Sequence, residues 1–212
     1  MTIGPTRKPG FDLIEIVGMK KLKRLAICGH AKNIQILGQL QGLEDLFLSM
    51  IPNTVGLEFV NQLSKLRKLT FILGGRSNIN EIKHSGISEL EITRVRGFSS
   101  FEPADFIGLT TLKIEDQIQL DSLKFKKANK NISELGIHNC KKLKKLEGLQ
   151  NLPALRKIRI SGTTLPFDEL LKNGLPPKLK IYSFCTWRSR EDKIIRKKLD
   201  DLGLKEFDEK PG

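Results

Sequence analysis

Apolar residues recur along most of the chain in the order apolar-x-x-apolar-x-apolar. Eight copies follow one another at intervals of 21 to 23 residues, and 23 of the 24 residues at their first, fourth and sixth positions are Leu, Ile or Phe. With 39% hydrophobic residues overall, chance would place hydrophobic residues at roughly nine of these positions. The chain therefore contains an internal repeat. The first positions are Leu22, Leu43, Leu66, Ile87, Leu109, Ile132, Leu155 and Pro176.

Several repeats carry a second apolar pattern behind the first, with one apolar residue at every third position. This pattern is longest at Leu143, Leu146, Leu149, Leu152 and Leu155. The first pattern contains the period of a β-strand, and the second has the period of a turn or 3-10 helix. One such unit cannot bury its own apolar side, whereas stacked units can. The sequence therefore predicts a parallel β-solenoid with its strands along the concave face.

The repeat resembles that of leucine-rich repeat proteins of the short class, in which one repeat has about 22 residues. The segments that carry the resemblance are LRKLTFI, LTTLKIE, ISELGIHNC and LRKIRISGT. The resemblance covers roughly residues 13–185 and implies an α/β solenoid of about eight stacked repeats, with short helical, 3-10 or irregular segments on the convex side. Of the Asn or Cys residues expected at the ninth position, only Cys140 is present, which predicts a ladder with few hydrogen bonds there.

Both ends of the chain depart from the repeat, so we expect three parts. Residues 1–21 are predicted to be an N-terminal cap or degenerate repeat, and residues 22–187 the solenoid. Residues 188–212 are predicted to be a capping helix and tail, because SREDKIIRKKLDDLGL has an amphipathic pattern with Ser189 as N-cap and Gly203 at its end. A partner-binding role for this helix is the alternative. At the other end, the sheet edge is expected to be protected by Pro5, Arg7, Lys8 and Pro9.

The sequence contains no motif that indicates an enzyme, a metal site or a cofactor. A nucleophile elbow, a Walker loop and a dinucleotide fingerprint are absent, and the fragments Cys28-Gly29-His30 and His138-Asn139-Cys140 lie five repeats apart. No stretch approaches the roughly 18 apolar residues of a membrane span, and the first eleven residues lack the apolar run of a signal peptide. We therefore expect a non-enzymatic cytoplasmic protein without cofactor, although a serine, a histidine and an acid could meet across repeats.

Two groups of residues are candidates for partner binding, because equivalent positions of neighbouring repeats lie side by side in such a stack. The apolar group is expected at the concave surface or its edge and comprises Phe47, Met50 and Ile72, with Leu73 beside them. Its alternative is that loop irregularity turns Met50 and Leu73 inward. The basic group lies on the last two repeats, and its alternative is a solvated rim. It comprises Arg156, Lys157, Arg159, Lys178 and Lys180, with Tyr182 beside them.

The net charge of +13 bears on the kind of partner. The leading hypothesis is a protein-protein interaction module that binds a partner through its concave face, as a regulator, an inhibitor or an immunity-type protein. The partner is expected to be a protein that is acidic at its contact surface. The alternative is a nucleic-acid-binding protein that uses its basic C-terminal half, but aromatic residues for base stacking make up only 6% of the chain. The oligomeric state is left open.

Overall fold

The computed structural model describes residues 1–4, 11–29, 32–172 and 174–205. Within them the chain forms a series of short strands with turns and 3-10 segments between them, and two α-helices near the C-terminus. The strands are β1 (Thr2–Ile3), β2 (Arg24–Cys28), β3 (Asp45–Ser49), β4 (Lys68–Ile72), β5 (Glu89–Thr93), β6 (Thr111–Glu115), β7 (Ser122–Lys124), β8 (Glu134–His138), β9 (Lys145–Glu147), β10 (Lys157–Ser161) and β11 (Ile181–Cys185). The helices are α1 (Phe167–Lys172) and α2 (Ser189–Asp201).

Nine of these strands form one open parallel sheet in the order β1-β2-β3-β4-β5-β6-β8-β10-β11. Neighbouring strands pair in register, so that Leu46 lies opposite Leu25 on one side and Leu69 on the other. The residues at the first, fourth and sixth repeat positions lie in the core, and Leu112 and Ile114 of β6 are fully buried. This in-register stack of short repeats is the leucine-rich repeat solenoid that the sequence predicts.

The convex side contains the 3-10 segments that the period-three pattern predicts. They are Leu13–Ile16, Ile34–Gln39, Glu58–Gln62, Pro103–Asp105 and Leu149–Asn151. A feature that the pattern does not predict is a second parallel sheet of two strands, β7 and β9, in which Leu123 lies opposite Leu146. Both leucines are buried, so this small sheet contributes to the core of these two repeats.

The last repeat is assigned to the wrong residues by the sequence pattern. Residue Lys157 of β10 pairs with Ile181, which places the first position of this repeat at Leu179 and not at Pro176. The repeat is longer because it contains α1, whose Phe167 packs against the rings of Tyr182 and Phe184 at centroid distances of 6.1 and 5.1 Å. These aromatic residues fill the fourth and sixth positions, which the sequence pattern had given to aliphatic residues three places earlier.

At the N-terminal end, the two residues of β1 pair with Ala26 and Ile27 of β2, and a 3-10 helix at Leu13–Ile16 follows. The expected protection of this edge by Pro5, Arg7, Lys8 and Pro9 lies outside the described residues. The boundaries of the three parts, at residues 21 and 187, stay predictions.

At the C-terminal end, α2 buries Ile195 and Leu199 against the last repeat. Ser189 is the first residue of the helix and not its N-cap, which is Arg188, and the N-cap makes no side-chain hydrogen bond. The start of the helix is instead held by Asp192, whose carboxylate accepts hydrogen bonds of 2.7 Å from both the amide and the hydroxyl of Thr186. Burial raises the pKa of this carboxyl, and the hydrogen bonds outweigh that effect, so its pKa is lowered.

The end of α2 follows the prediction more closely. Gly203 has a φ of 71° and follows the helix, and its amide donates to the carbonyl of Asp200 at 2.8 Å. The chain then returns to the sheet, where the amide of Lys205 donates to the carbonyl of Lys180 and its carbonyl accepts from the amide of Tyr182. These two bonds cover part of the open edge of β11. The predicted tail at 206–212 lies outside the described residues.

Candidate functional site

The concave surface is built from three positions of each strand, because side chains alternate between the two faces of a strand. The third, fifth and seventh repeat positions point away from the core, and the fourth and sixth point into it. Since the strands pair in register, each of these positions forms a row across the sheet. The fifth-position row runs through Ala26, Phe47, Thr70, Glu91, Lys113, Gly136, Arg159 and Ser183.

The eighth position, directly after each strand, has left-handed backbone geometry in seven consecutive repeats. The residues have φ values between 51° and 70° and are Gly29, Met50, Leu73, Arg94, Asp116, Asn139 and Gly162. Glycine, asparagine and aspartate adopt this geometry readily, whereas other side chains destabilise it by about 1 kcal/mol or more. Met50 and Leu73 are thus apolar residues at positions where the backbone favours a small or polar one.

Both side chains are also exposed, each to 42% of its full area. The alternative that loop irregularity turns Met50 and Leu73 inward is therefore wrong. The amide of Met50 donates to the carbonyl of Ile72 at 3.1 Å, which holds the two repeats together at this point. With the half-buried Phe47 and Ile72 on the adjoining strands, they form one surface, which we call the apolar patch: Phe47, Met50, Ile72 and Leu73.

The basic group predicted on the last two repeats is not assembled as expected. The prediction concerned Arg156, Lys157, Arg159, Lys178 and Lys180. In the observed register, Lys157 lies opposite Ile181 and Arg159 lies opposite Ser183, so the row of five adjacent cations is wrong. On its other side Lys157 forms an ion pair with Glu134, with 3.3 Å between Nζ and Oε2. The shift has the same cause as the misassigned repeat, the insertion of α1.

Three further residues of this group are also placed differently from the prediction. Lys180 lies beside Arg156, to whose carbonyl its amide donates at 2.9 Å, and Lys178 lies before the strand begins. Tyr182 occupies a core position and is 0% exposed, so it does not contribute to a binding surface. Burial raises the pKa of its phenol. Of the remaining residues, Arg156 is exposed just before β10, and Lys157 and Arg159 on β10 are half-buried.

The structure places Arg159 beside residues that the sequence analysis did not propose for partner binding. Gly136 lies between Lys113 and Arg159 in the fifth-position row, and all three line an open cavity of about 410 Å³ on the concave surface. His138 and Ser161 line one side of this cavity and share a hydrogen bond through Nδ1 and Oγ. We call this cavity the Gly136 notch. The sequence could have indicated it, because the row through these positions follows from the repeat alone.

An aromatic residue lies next to the Gly136 notch. The ring of Trp187 is 55% exposed and packs directly over Gly162, where a Cβ atom would come within 2.3 Å of it. Its ring centroid is 5.9 Å from that of His138, in an edge-on arrangement. The glycine in the eighth position of this repeat thus makes room for the tryptophan, which contacts His138 at the border of the notch.

The contact between His138 and Ser161 does not have the arrangement of a catalytic triad. In a triad, serine bonds to Nε2 of the histidine, and a carboxylate bonds to Nδ1 and orients the ring. Here Ser161 occupies the Nδ1 side. The contact therefore differs from the serine-histidine contact of a triad.

A second cavity, of about 860 Å³, lies at the edge of the sheet where the strands of the second to fifth repeats end. Arg76 extends into the protein beneath it and is nearly fully buried, which lowers its pKa. Its guanidinium donates to the carbonyl of Val55 at 2.9 Å and lies 3.4 Å from Glu81 Oε1. These bonds tie the loop of one repeat to the next, so we assign Arg76 a structural role.

Two classes of site find no support in the described part of the chain. No group of three or more His, Cys, Asp or Glu side chains there is arranged to hold a metal ion. Among the same residues, no helix has the length and apolar character needed to cross a membrane.

Comparisons with known proteins show a likeness to solved structures, one of which is described here. No family model matches the chain, and no curated protein matches it. The crystal structure of an internalin, inlF, from Listeria monocytogenes matches 94% of this chain and 72% of its own chain, with 16% sequence identity and a TM-score of 0.43. The fold of this chain is assigned from the register of its own strands and not from that structure. The fold is that of a leucine-rich repeat protein.

Proposed function

We propose that this leucine-rich repeat protein is a non-enzymatic module that binds a partner protein through its concave face and the adjoining edge where the strands end. The observation that carries the proposal is the apolar patch. Met50 and Leu73 combine two unfavourable features, a left-handed backbone and an exposed apolar side chain. Gly29 and Gly162 show that the same repeat position accepts glycine. These two side chains are not needed by the fold and lower its stability. Such side chains are typical of residues that contact a binding partner.

The partner is proposed to be acidic at its contact surface. The chain has a net charge of +13, and the patch is flanked along the eighth-position row by Arg94, whose guanidinium pairs with Asp116. Complementary charge would accelerate association and favour acidic partners over basic ones. A regulator, an inhibitor or an immunity-type protein that covers the active site of its target would fit this description, and we propose this group of roles.

The test is capture of partners from a lysate of the source cells, with and without nuclease. The wild-type chain is compared with Met50→Asn/Leu73→Asn, in which both side chains become polar and suit the left-handed backbone. Ile107→Asn is the control, because Ile107 is also exposed and apolar but lies outside the patch. We expect one protein in stoichiometric amount, insensitive to nuclease, bound by wild type and control and lost from the double variant. Capture of nucleic acid, with proteins that disappear after nuclease, would favour the nucleic-acid alternative.

A further inference from the structure

His84 is a buried histidine whose two ring nitrogens are both engaged by the backbone. It lies between β4 and β5 and is 6% exposed. Its Nε2 is 2.9 Å from the carbonyl oxygen of Leu63 in the preceding repeat. Its Nδ1 is 3.0 Å from the amide nitrogen of Gly86 and 3.2 Å from that of Ile87. Since backbone amides only donate, Nδ1 is the acceptor, and Nε2 carries the single proton of a neutral ring.

A second repeat shows that this position needs the three hydrogen bonds and not a histidine. Asn129 lies three residues before the first position of the sixth repeat, as His84 does in the fourth. Its side-chain amide donates to the carbonyl of Phe106 at 3.1 Å. Its side-chain oxygen accepts from the amides of Asn131 and Ile132 at 3.0 and 3.1 Å. Asparagine therefore makes the same three bonds with a side chain that does not titrate.

A proton on Nδ1 would deprive two amides of their acceptor at once, because the imidazolium ring has a donor on each nitrogen and no acceptor. Within the described residues, the amides of Gly86 and Ile87 make no other hydrogen bond. In the third repeat, the first-position amide of Leu66 donates instead to the carbonyl of Leu63 at 2.9 Å. The ring of His84 thus replaces a backbone bond, and buried amides without a partner destabilise the closed segment.

The charged groups around His84 do not compensate for a charge on its ring. In the described part of the chain, neither ring nitrogen bonds to a carboxylate. Arg67 of the preceding repeat donates to the carbonyl of Gly86 at 3.0 Å, which places a cation beside the ring. In the following repeat, the carboxylate of Asp105 already pairs with Lys83. The charged residues on the segments packed here are Lys65, Arg67, Glu81, Lys83, Glu102 and Asp105.

We propose that His84 is an acid-sensitive switch, in which uptake of one proton at Nδ1 releases the amides of Gly86 and Ile87 and opens the segment that joins β4 to β5. A histidine in contact with water is protonated below about pH 6.5, so acid favours the open form. Between pH 7.5 and pH 5 the population of the open form should rise by up to about 30-fold. The switch does not depend on the proposed function, although the segment begins at Leu73 of the apolar patch.

The test is hydrogen exchange of backbone amides, measured by NMR at pH 7.5 and pH 5 and corrected for the intrinsic exchange rate at each pH. When reclosing is faster than exchange, the protection factor of an amide reports the population of its open form. We expect the protection factors of Gly86 and Ile87 to fall by about 10- to 30-fold in acid. Those of Asn131 and Ile132 are the control within the same chain and should change by less than about twofold, because asparagine does not titrate.

His84→Asn is the variant that removes the titration and keeps the bonds, as Asn129 shows. In this variant, the protection factors of Gly86 and Ile87 are expected to agree at the two pH values within about twofold. His138→Asn is the matched control, because His138 is exposed and its removal should leave the acid effect intact. The nitrogen-15 shifts of the wild-type His84 ring need no variant, and at pH 7.5 they should show the proton on Nε2 and not on Nδ1.

Four results would overturn the proposal. One is an acid effect below about twofold at Gly86 and Ile87 in the wild-type chain. Another is an acid effect of the same size in His84→Asn, which would assign it to a different group. The third is a proton on Nδ1 at pH 7.5. The fourth is an equal loss of protection at Asn131 and Ile132, because the solenoid would then open as a whole and not at His84.

Discussion

Two neighbouring residues of β6 provide a direct test of the repeat register. Leu112 is 0% exposed and lies between Leu90 and Leu135 in the core, whereas the next residue, Lys113, points to the concave face. Leu112→Ala removes three buried carbon atoms, which corresponds to about 2.4 kcal/mol of transfer free energy. The cavity left behind adds to this, so the total loss of stability is expected to be about 2.5–5 kcal/mol. Lys113→Ala is expected to change stability by no more than about 0.5 kcal/mol.

The assay is urea denaturation, followed both by circular dichroism and by the fluorescence of Trp187, which lies several repeats away from Leu112. Agreement of the two probes would show that the repeats unfold together, so that the free energies of the variants can be compared. A loss below about 0.5 kcal/mol for Leu112→Ala, or equal losses for the two variants, would refute the register and with it the rows from which both candidate surfaces are built.

Two other predictions concern the last repeat and its cap. Within the described residues the buried hydroxyl of Tyr182 makes no hydrogen bond. Tyr182→Phe is therefore expected to leave the free energy of unfolding unchanged or to raise it by about 1 kcal/mol, as measured by thermal or urea unfolding. A loss of more than about 1 kcal/mol would contradict the burial of this hydroxyl without a partner. Asp192→Ala is expected to cost about 1–2 kcal/mol at neutral pH, because the carboxylate holds the Thr186 amide and hydroxyl at the start of α2. Since the pKa of Asp192 is lowered in the folded protein, its contribution is complete at pH values above the ordinary pKa of about 3.9 and disappears as the pH falls through the lower folded value. The difference in stability between the two proteins, measured by urea titrations, should therefore become smaller as the pH falls from 7 to 2.5, and a constant difference would contradict the role of the carboxylate.

The sequence predicts the strands because their signal is local and repeated. In the first seven repeats, each strand of the main sheet begins at the third position of the predicted pattern, as Arg24 and Lys157 show at the two ends of that series. The position of the last repeat was predicted three residues too early, because the spacing of Pro176, Leu179 and Ile181 matches the repeat pattern by chance. The observed positions are taken by Tyr182 and Phe184, which pack against α1.

The surfaces were harder to predict, because they depend on contacts between repeats. The exposure of Met50 and Leu73 follows from the left-handed turn after each strand, and neither residue type favours that turn in an isolated sequence. The contact of Trp187 with Gly162 bridges the last two repeats through a connection outside the repeat pattern. The Gly136 notch, by contrast, could have been found, since its row requires only the register of the first seven repeats.

The central claim is that the apolar patch contacts a partner protein and is not needed by the fold. The most direct test is the dissociation constant of the captured partner for wild type, Met50→Asn/Leu73→Asn and Ile107→Asn, measured by calorimetry together with the unfolding free energy of each chain. We expect the double variant to bind at least about 30-fold more weakly, as for contact residues worth about 2 kcal/mol, while its stability stays within about 1 kcal/mol of wild type. Ile107→Asn should bind like wild type. Unchanged binding by a stably folded double variant would contradict the claim.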